Sequence, residues 1–219
     1  MTNATRKRSR VLIVEDHPMA AAGIAETLAS HDGFEIVGKA ATETEALAAA
    51  DGHRPDVATV DITLEKGSGL GLVRALVESH PELRVLVFTM HEEMLYAERT
   101  MRAGARGYLN KSATADELIE AVRTVARGEL VMSERMNAKL VQRAIGNGEG
   151  NDGVASLTNR ELEIFEHIGR GKPVTQIART LSISPKTVET HREHIKKKLG
   201  HSSSTDLARF AVAWVENPG

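Results

Sequence analysis

Five short, mainly apolar runs, each followed by a stretch long enough and amphipathic enough to be a helix, fill residues 10–127 and dominate what this chain can fold into. The runs lie at 11–14, 35–38, 57–60, 85–88 and 107–109. The helical stretches lie at 18–30, 42–50, 69–79, 93–103 and 114–127. Val11, Leu12, Ile13 and Val14 show no polar alternation, the mark of a strand covered on both faces. Strands of that kind separated by helices predict a doubly wound, five-stranded parallel sheet with flanking helices. Right-handed crossovers then bring the C-terminal ends of all five strands to one edge. In the first helix the apolar side is expected to hold Met19, Ala22, Ile24, Ala25 and Leu28.

That edge is where an open α/β sheet places its site. The first strand delivers Glu15 and Asp16, the third Asp61 and the fourth Thr89, and Lys111 follows the fifth. Asp61 alone reads as a loop or capping residue, and the others alone as caps and a surface lysine. Together, three carboxylates on neighbouring strand ends repel and call for a cation. Mg2+ suits them, being a hard ion that takes oxygen ligands. A phosphoryl group at Asp61 would also need donors, and the Thr89 hydroxyl and Lys111 ammonium supply them. Asp61 is then the nucleophile of an acyl-phosphate-forming reaction. No histidine or further aspartate is placed as a general base, so transfer to Asp61 fits better than hydrolysis of an external substrate.

Composition narrows the remaining possibilities. The 219 residues include no cysteine, which removes thiol catalysis, disulfides and thiolate metal sites, and fits a reducing, cytoplasmic setting. No apolar stretch is long enough to span a membrane. Residues 1–9 read as a disordered basic tail and 10–127 as the first domain. Residues 128–156 read as a linker, with a helix at 133–145 and four glycines in the eight residues from Gly146 to Gly153. The net charge of -2 hides an asymmetry: residues 1–130 hold 15 basic and 20 acidic groups, and residues 157–200 hold nine and five.

Residues 157–216 read as a small all-α four-helix domain containing a helix-turn-helix. Thr158 with Glu161 forms a capping box for its first helix. Pro185 stands at the first position of the third, behind Ser184. That third helix carries Lys186, Thr187, Glu189, Thr190, Arg192, Glu193, Lys196, Lys197 and Lys198. In a recognition helix Lys186, Thr187, Lys197 and Lys198 fit phosphates. Glu189, Thr190, Arg192 and Glu193 fit base edges, the acids selecting cytosine amino groups. A solvated charged helix of a protein-binding bundle would show the same residue types.

The segments Val11–Val14 with Glu15, Asp16 and His17, then Asp61-Ile62, Thr89-Met90-His91 and the run from Gly104 to Lys111 resemble the receiver domain of two-component response regulators. Residues 157–161, Ile177-Ala178, 184–191 and 195–200 resemble the LuxR-type DNA-binding domain, and the pair together resembles the NarL/FixJ class. The resemblance implies phosphorylation of Asp61 by a histidine kinase. It implies that Glu15 and Asp16 help hold Mg2+, with Asp61 and a backbone carbonyl of Thr63, and that Thr89 and Tyr108 form a switch pair that moves inward on phosphorylation. For the second domain it implies double-stranded DNA as partner, with Lys186, Thr187 and the late lysines Lys196, Lys197 and Lys198 on the backbone. Glu189, Thr190 and Glu193 would face the groove, His191 would be structural, and homodimers would form through the last helix. Two departures stand out. Glu65 replaces a common proline beside the acceptor, and Pro173-Val174-Thr175 replaces polar residues where the first helix of the helix-turn-helix starts. Glu65 adds negative charge beside the site and bears on the lifetime of the phosphorylated state; His91 reads first as a helix-start residue and second as another influence on that lifetime.

The expectation is therefore a phosphorylation-dependent transcriptional regulator. It has no enzyme activity beyond self-phosphorylation and autodephosphorylation at Asp61, and no membrane partner. A receiver-controlled protein-interaction module is the alternative. A phosphatase acting on small substrates is a more distant one, since Thr63 stands where such enzymes need a second acid.

Overall fold

The structure is a computed structural model that describes residues 8–64, 69–91, 93–144 and 153–216. The chain divides into two compact units, Met1–Val141 and Gln142–Gly219. In the first, β1 (Ser9–Val14), β2 (Phe34–Ala40), β3 (Val57–Val60), β4 (Arg84–Thr89) and β5 (Gly107–Asn110) form one sheet of order β2-β1-β3-β4-β5. Every pairing is parallel. The crossover helices are α1 (Pro18–Ala29), α2 (Glu43–His53), α3 (Gly69–Ser79), α4 (Glu93–Arg102) and α5 (Ala115–Ala126). This is the doubly wound sheet that the apolar runs predict, with strand order reversing between β1 and β3.

Local chemistry sets the helix ends. Thr42 caps α2 by accepting from the Glu45 amide, and Thr114 with Glu117 makes a full capping box for α5. Val11 and Ile13 of β1 pack with Ile24, Leu28, Leu118, Val122 and Val125, so one sheet face is covered by α1 and α5. At Gly69 an added Cβ would stand 2.2 Å from Ile62 Cα. Only glycine lets α3 start this close to the chain leaving β3, directly behind Asp61.

Several expectations need correction. The N-terminal tail does not reach residue 9: Ser9 opens β1 and its amide donates to the Gly33 carbonyl at 2.8 Å, while residues 1–7 lie outside the described residues. On α1 the buried stripe is Ala21, Ile24, Ala25 and Leu28. Met19 is 85% exposed and Ala22 is exposed too, because neither shares the phase of residues 21, 24, 25 and 28. Beyond α5, α6 (Glu134–Ala144) buries Met136 but leaves Val141 exposed.

Most of the glycine-rich run, 145–152, lies outside the described residues. Gly153 itself opens a 3-10 turn, Gly153–Ser156, that buries Val154. The second unit then comprises α7 (Asn159–Gly169), α8 (Val174–Thr180), α9 (Pro185–Leu199) and α10 (Ser204–Glu216). Leu162, Ile164, Phe165, Ile177, Val188, Ile195, Leu207 and Ala211 form its core. Val212 of α10 is exposed, and His191 and Leu199 are half-buried. At Gly169 a Cβ would lie 2.5 Å from the Ala211 carbonyl oxygen, so glycine permits the close α7–α10 crossing. Among the described residues no helix is long and apolar enough to cross a membrane.

Candidate functional site

The C-terminal sheet edge holds an acidic pocket. Asp61, one residue past β3, is 4% exposed. Its Oδ1 accepts from the Thr63 amide at 2.8 Å and from the Thr89 hydroxyl at 2.8 Å. Its Oδ2 accepts from Lys111 Nζ at 2.5 Å. The same ammonium donates to Glu15 Oε2 at 2.5 Å. Asp16 carries its carboxylate 2.8 Å from His17 Nδ1, and one ligand atom each from Glu15, Asp16 and His17 lies within 4.8 Å of the others. The predicted set of Glu15, Asp16, Asp61, Thr89 and Lys111 therefore converges, with Thr63 beside it.

Burial pulls the Lys111 ammonium toward its neutral form, but the hydrogen bonds and charges of Asp61 and Glu15 outweigh it and hold the group above its ordinary value. Lys111 is thus a fixed cation shared by two buried carboxylates. The carboxylates are hard oxygen donors, the type that suits a small divalent ion.

A second layer ties the β4–α4 connection to the pocket. His91 Nε2 lies 2.7 Å from the Thr63 hydroxyl, and the His91 ring stacks on Tyr96 at 4.5 Å. The His91 carbonyl accepts from the Tyr108 hydroxyl at 2.9 Å and from Asn110 Nδ2 at 3.0 Å. Tyr108 is buried, 2% exposed, and Thr89 faces Asp61, so both switch candidates point inward. Asn110, Tyr96 and the Thr63 hydroxyl are additions to the predicted set. Nothing in residue type or spacing singles them out, because their roles depend on where two loops meet. Glu65 lies outside the described residues.

In the second unit α8, a turn with Ser182 at φ 54, and α9 make the helix-turn-helix. Ser184 caps α9 by accepting from the Thr187 amide at 3.0 Å, and its hydroxyl also meets that of Thr187 at 2.8 Å. Lys186, Glu189, Thr190, Glu193 and Lys197 are exposed. The remaining bases of α9 are engaged: Arg192 with Glu189 at 2.9 Å, Lys196 with Glu193 at 2.8 Å, and Lys198 with Glu161 at 2.6 Å. The acids stand out further than their partners, 51% and 62% exposed against 18% for Arg192 and 15% for Lys196. Pro173 provides no side-chain cap for α8.

Residues 11–123 match the model of the response regulator receiver domain, and residues 155–211 match that of the bacterial regulatory proteins of the luxR family. The oxygen regulatory protein NreC of Staphylococcus carnosus is 36% identical over 209 residues, covering 93% of this chain and 96% of its own. The response regulator GacA of Pseudomonas viridiflava is 36% identical over 203 residues, at 93% and 95% coverage. Among solved structures, the RcsB response regulator of Salmonella typhimurium superposes with a TM-score of 0.74 at 21% identity, covering 94% of this chain and 98% of that one. The receiver domain of a NarL response regulator from Mycobacterium tuberculosis gives 0.53 at 31% identity, over 56% of this chain and 99% of that one.

Proposed function

This chain belongs to the DNA-binding response regulators, transcription regulators that join a receiver to a luxR-family domain, and on that premise we propose that Asp61 is its phosphoacceptor and α9 its DNA-reading helix. The observation that carries the first part is the double claim on Asp61: the Thr89 hydroxyl holds one oxygen and the Lys111 ammonium the other.

The chemistry follows from those groups. An Asp61 oxygen attacks phosphorus, the bond from phosphorus to the donor breaks, and the donor leaves with the electron pair. The leaving group is the imidazole of a histidine kinase's phosphohistidine, or acetate when acetyl phosphate is the donor. Glu15, Asp16, Asp61 and the Thr63 carbonyl would hold Mg2+, which when bound would supply positive charge to the phosphoryl oxygens. Lys111 and Thr89 then turn from the carboxylate to the phosphoryl oxygens. Inward Thr89 and buried Tyr108 make the switch, and His91, bound to Tyr108 through its carbonyl, moves with it. The only turnover is self-phosphorylation and the return hydrolysis at Asp61.

On the DNA side, Lys186, Thr187 and Lys197 meet phosphates, and Glu189, Thr190 and Glu193 face the groove. Arg192, Lys196 and Lys198 reach DNA only by leaving the carboxylates they now hold. The receiver spans 9–127, residues 128–141 belong to the same compact unit, and the DNA-binding domain spans 157–216. The protein acts in the cytoplasm and binds double-stranded DNA as a homodimer formed through α10. Two exposed glutamates on the reading helix favour a second reading, a protein-interaction module. Labelling by acetyl phosphate with Mg2+ tests the first proposal: wild type is labelled and Asp61→Asn is not. Undiminished labelling of Asp61→Asn overturns it.

A further inference from the structure

Three groups outside the acidic pocket converge where α7 meets α9. Glu161, in the first turn of α7, is 4% exposed. His191 and His194, one helical step apart on α9, are half-buried and exposed. One carboxylate oxygen of Glu161 and one ring nitrogen from each histidine all lie within 4.8 Å of one another. Their rings meet edge to face at 6.5 Å.

Glu161 uses one oxygen for its structural work. Oε2 accepts from the Thr158 amide at 2.7 Å and from Lys198 Nζ at 2.6 Å. Oε1 has no such partner in the hydrogen-bond network of the described residues. His191 Nδ1 is buried and makes no hydrogen bond. Burial, opposed by Glu161 and reinforced by Arg160 and His194, holds His191 below its ordinary value.

We propose that Glu161, His191 and His194 form a site for a borderline divalent cation of the Zn2+, Co2+ or Ni2+ class, clipping the recognition helix α9 to α7. Two imidazoles and one carboxylate are the ligand types such ions take, and three protein ligands leave a fourth position for water. Tetrahedral Zn2+ needs its donors about 3.4 Å apart, so the donor atoms need only close in modestly. His194, being exposed, is free to make that rotation. Lys198 opposes the ion, since its ammonium already sits on Glu161. The site is therefore tuned weaker than its ligands alone would make it, and its occupancy competes with the Lys198–Glu161 bridge.

The metal-binding claim stands whether or not α9 reads DNA. The test is titration of the full chain with Zn2+, by calorimetry and by the imidazole resonances of His191 and His194. Wild type takes up Zn2+ with shifts in both rings. His194→Gln, a change at an exposed position that spares the fold, weakens this binding by roughly tenfold or more. Lys198→Met strengthens it. Asp16→Asn removes uptake at the acidic pocket but leaves the shifts of the His191 and His194 rings unchanged. Equal Zn2+ binding by wild type and His194→Gln, or binding lost only in Asp16→Asn, overturns the proposal.

Discussion

Replacing Lys111 by Met tests the electrostatic design of the acidic pocket most severely. One ammonium serves Asp61 Oδ2 and Glu15 Oε2, each at 2.5 Å, so the two carboxylate oxygens are no more than about 5 Å apart. Both side chains are almost wholly buried, at 4% and 1% exposure. Without the cation, two unit charges at that distance repel by about 3 kcal/mol at an effective dielectric of 20. Removing one member of a buried charge cluster costs about 3–5 kcal/mol in general, in line with that figure. Met keeps most of the packing of the Lys stem, so the loss is electrostatic. Urea unfolding without divalent ions is expected to show Lys111→Met about 3 kcal/mol less stable than wild type. Added Mg2+ should restore most of the loss and stabilise the variant more than wild type, because the ion no longer faces the ammonium. A variant as stable as wild type without Mg2+, or one that Mg2+ fails to rescue, refutes the reasoning.

Three further outcomes are expected. Burial, reinforced by Lys172 and Arg170, pushes His167 down to about 4, against Glu166 pulling the other way. Its contribution is complete above its unfolded value of 6.5 and is lost as pH falls from there toward 4, a loss of at most about 3 kcal/mol, less with solvent screening. The single tryptophan, Trp214, packs on Phe165 and reports this: its unfolding midpoint should fall across that pH window in wild type and much less in His167→Gln. His91→Ala, which cuts the strap to the Thr63 hydroxyl, should change the decay rate of the Asp61 acyl phosphate by a factor of about 3 or more at unchanged labelling yield, measured by loss of label. Selection from randomised DNA should enrich cytosine at the positions that Glu189 and Glu193 face, and Glu189→Ala should relax one of them at a cost of about 1–3 kcal/mol in discrimination.

The strand ends were the most legible part of the chain. Apolar runs such as Val11–Val14 are read directly because burial on both faces selects against polar residues, and topology then carries Asp61, Thr89 and Lys111 to one edge. Phase was harder. Met19 and Ala22 are apolar like their neighbours, yet only residues 21, 24, 25 and 28 share the face that meets the sheet, and small or flexible apolar residues tolerate exposure. Partner choice was not legible at all. Lys198 belongs by type to the phosphate-binding set, but a residue 37 positions away, Glu161, holds it. Thr63 likewise was read for its backbone, while its hydroxyl meets His91, 28 positions away. Such pairings arise only when separate elements dock.

The central claim is that a phosphoryl group on Asp61 controls DNA binding by the luxR-family domain. The affinity of the full chain for its selected DNA, measured with and without acetyl phosphate and Mg2+ in wild type and in Asp61→Asn, tests it most directly. The phosphodonor is expected to tighten binding by wild type and to leave Asp61→Asn unchanged. An affinity that ignores the phosphodonor in wild type, or rises equally in Asp61→Asn, would contradict it.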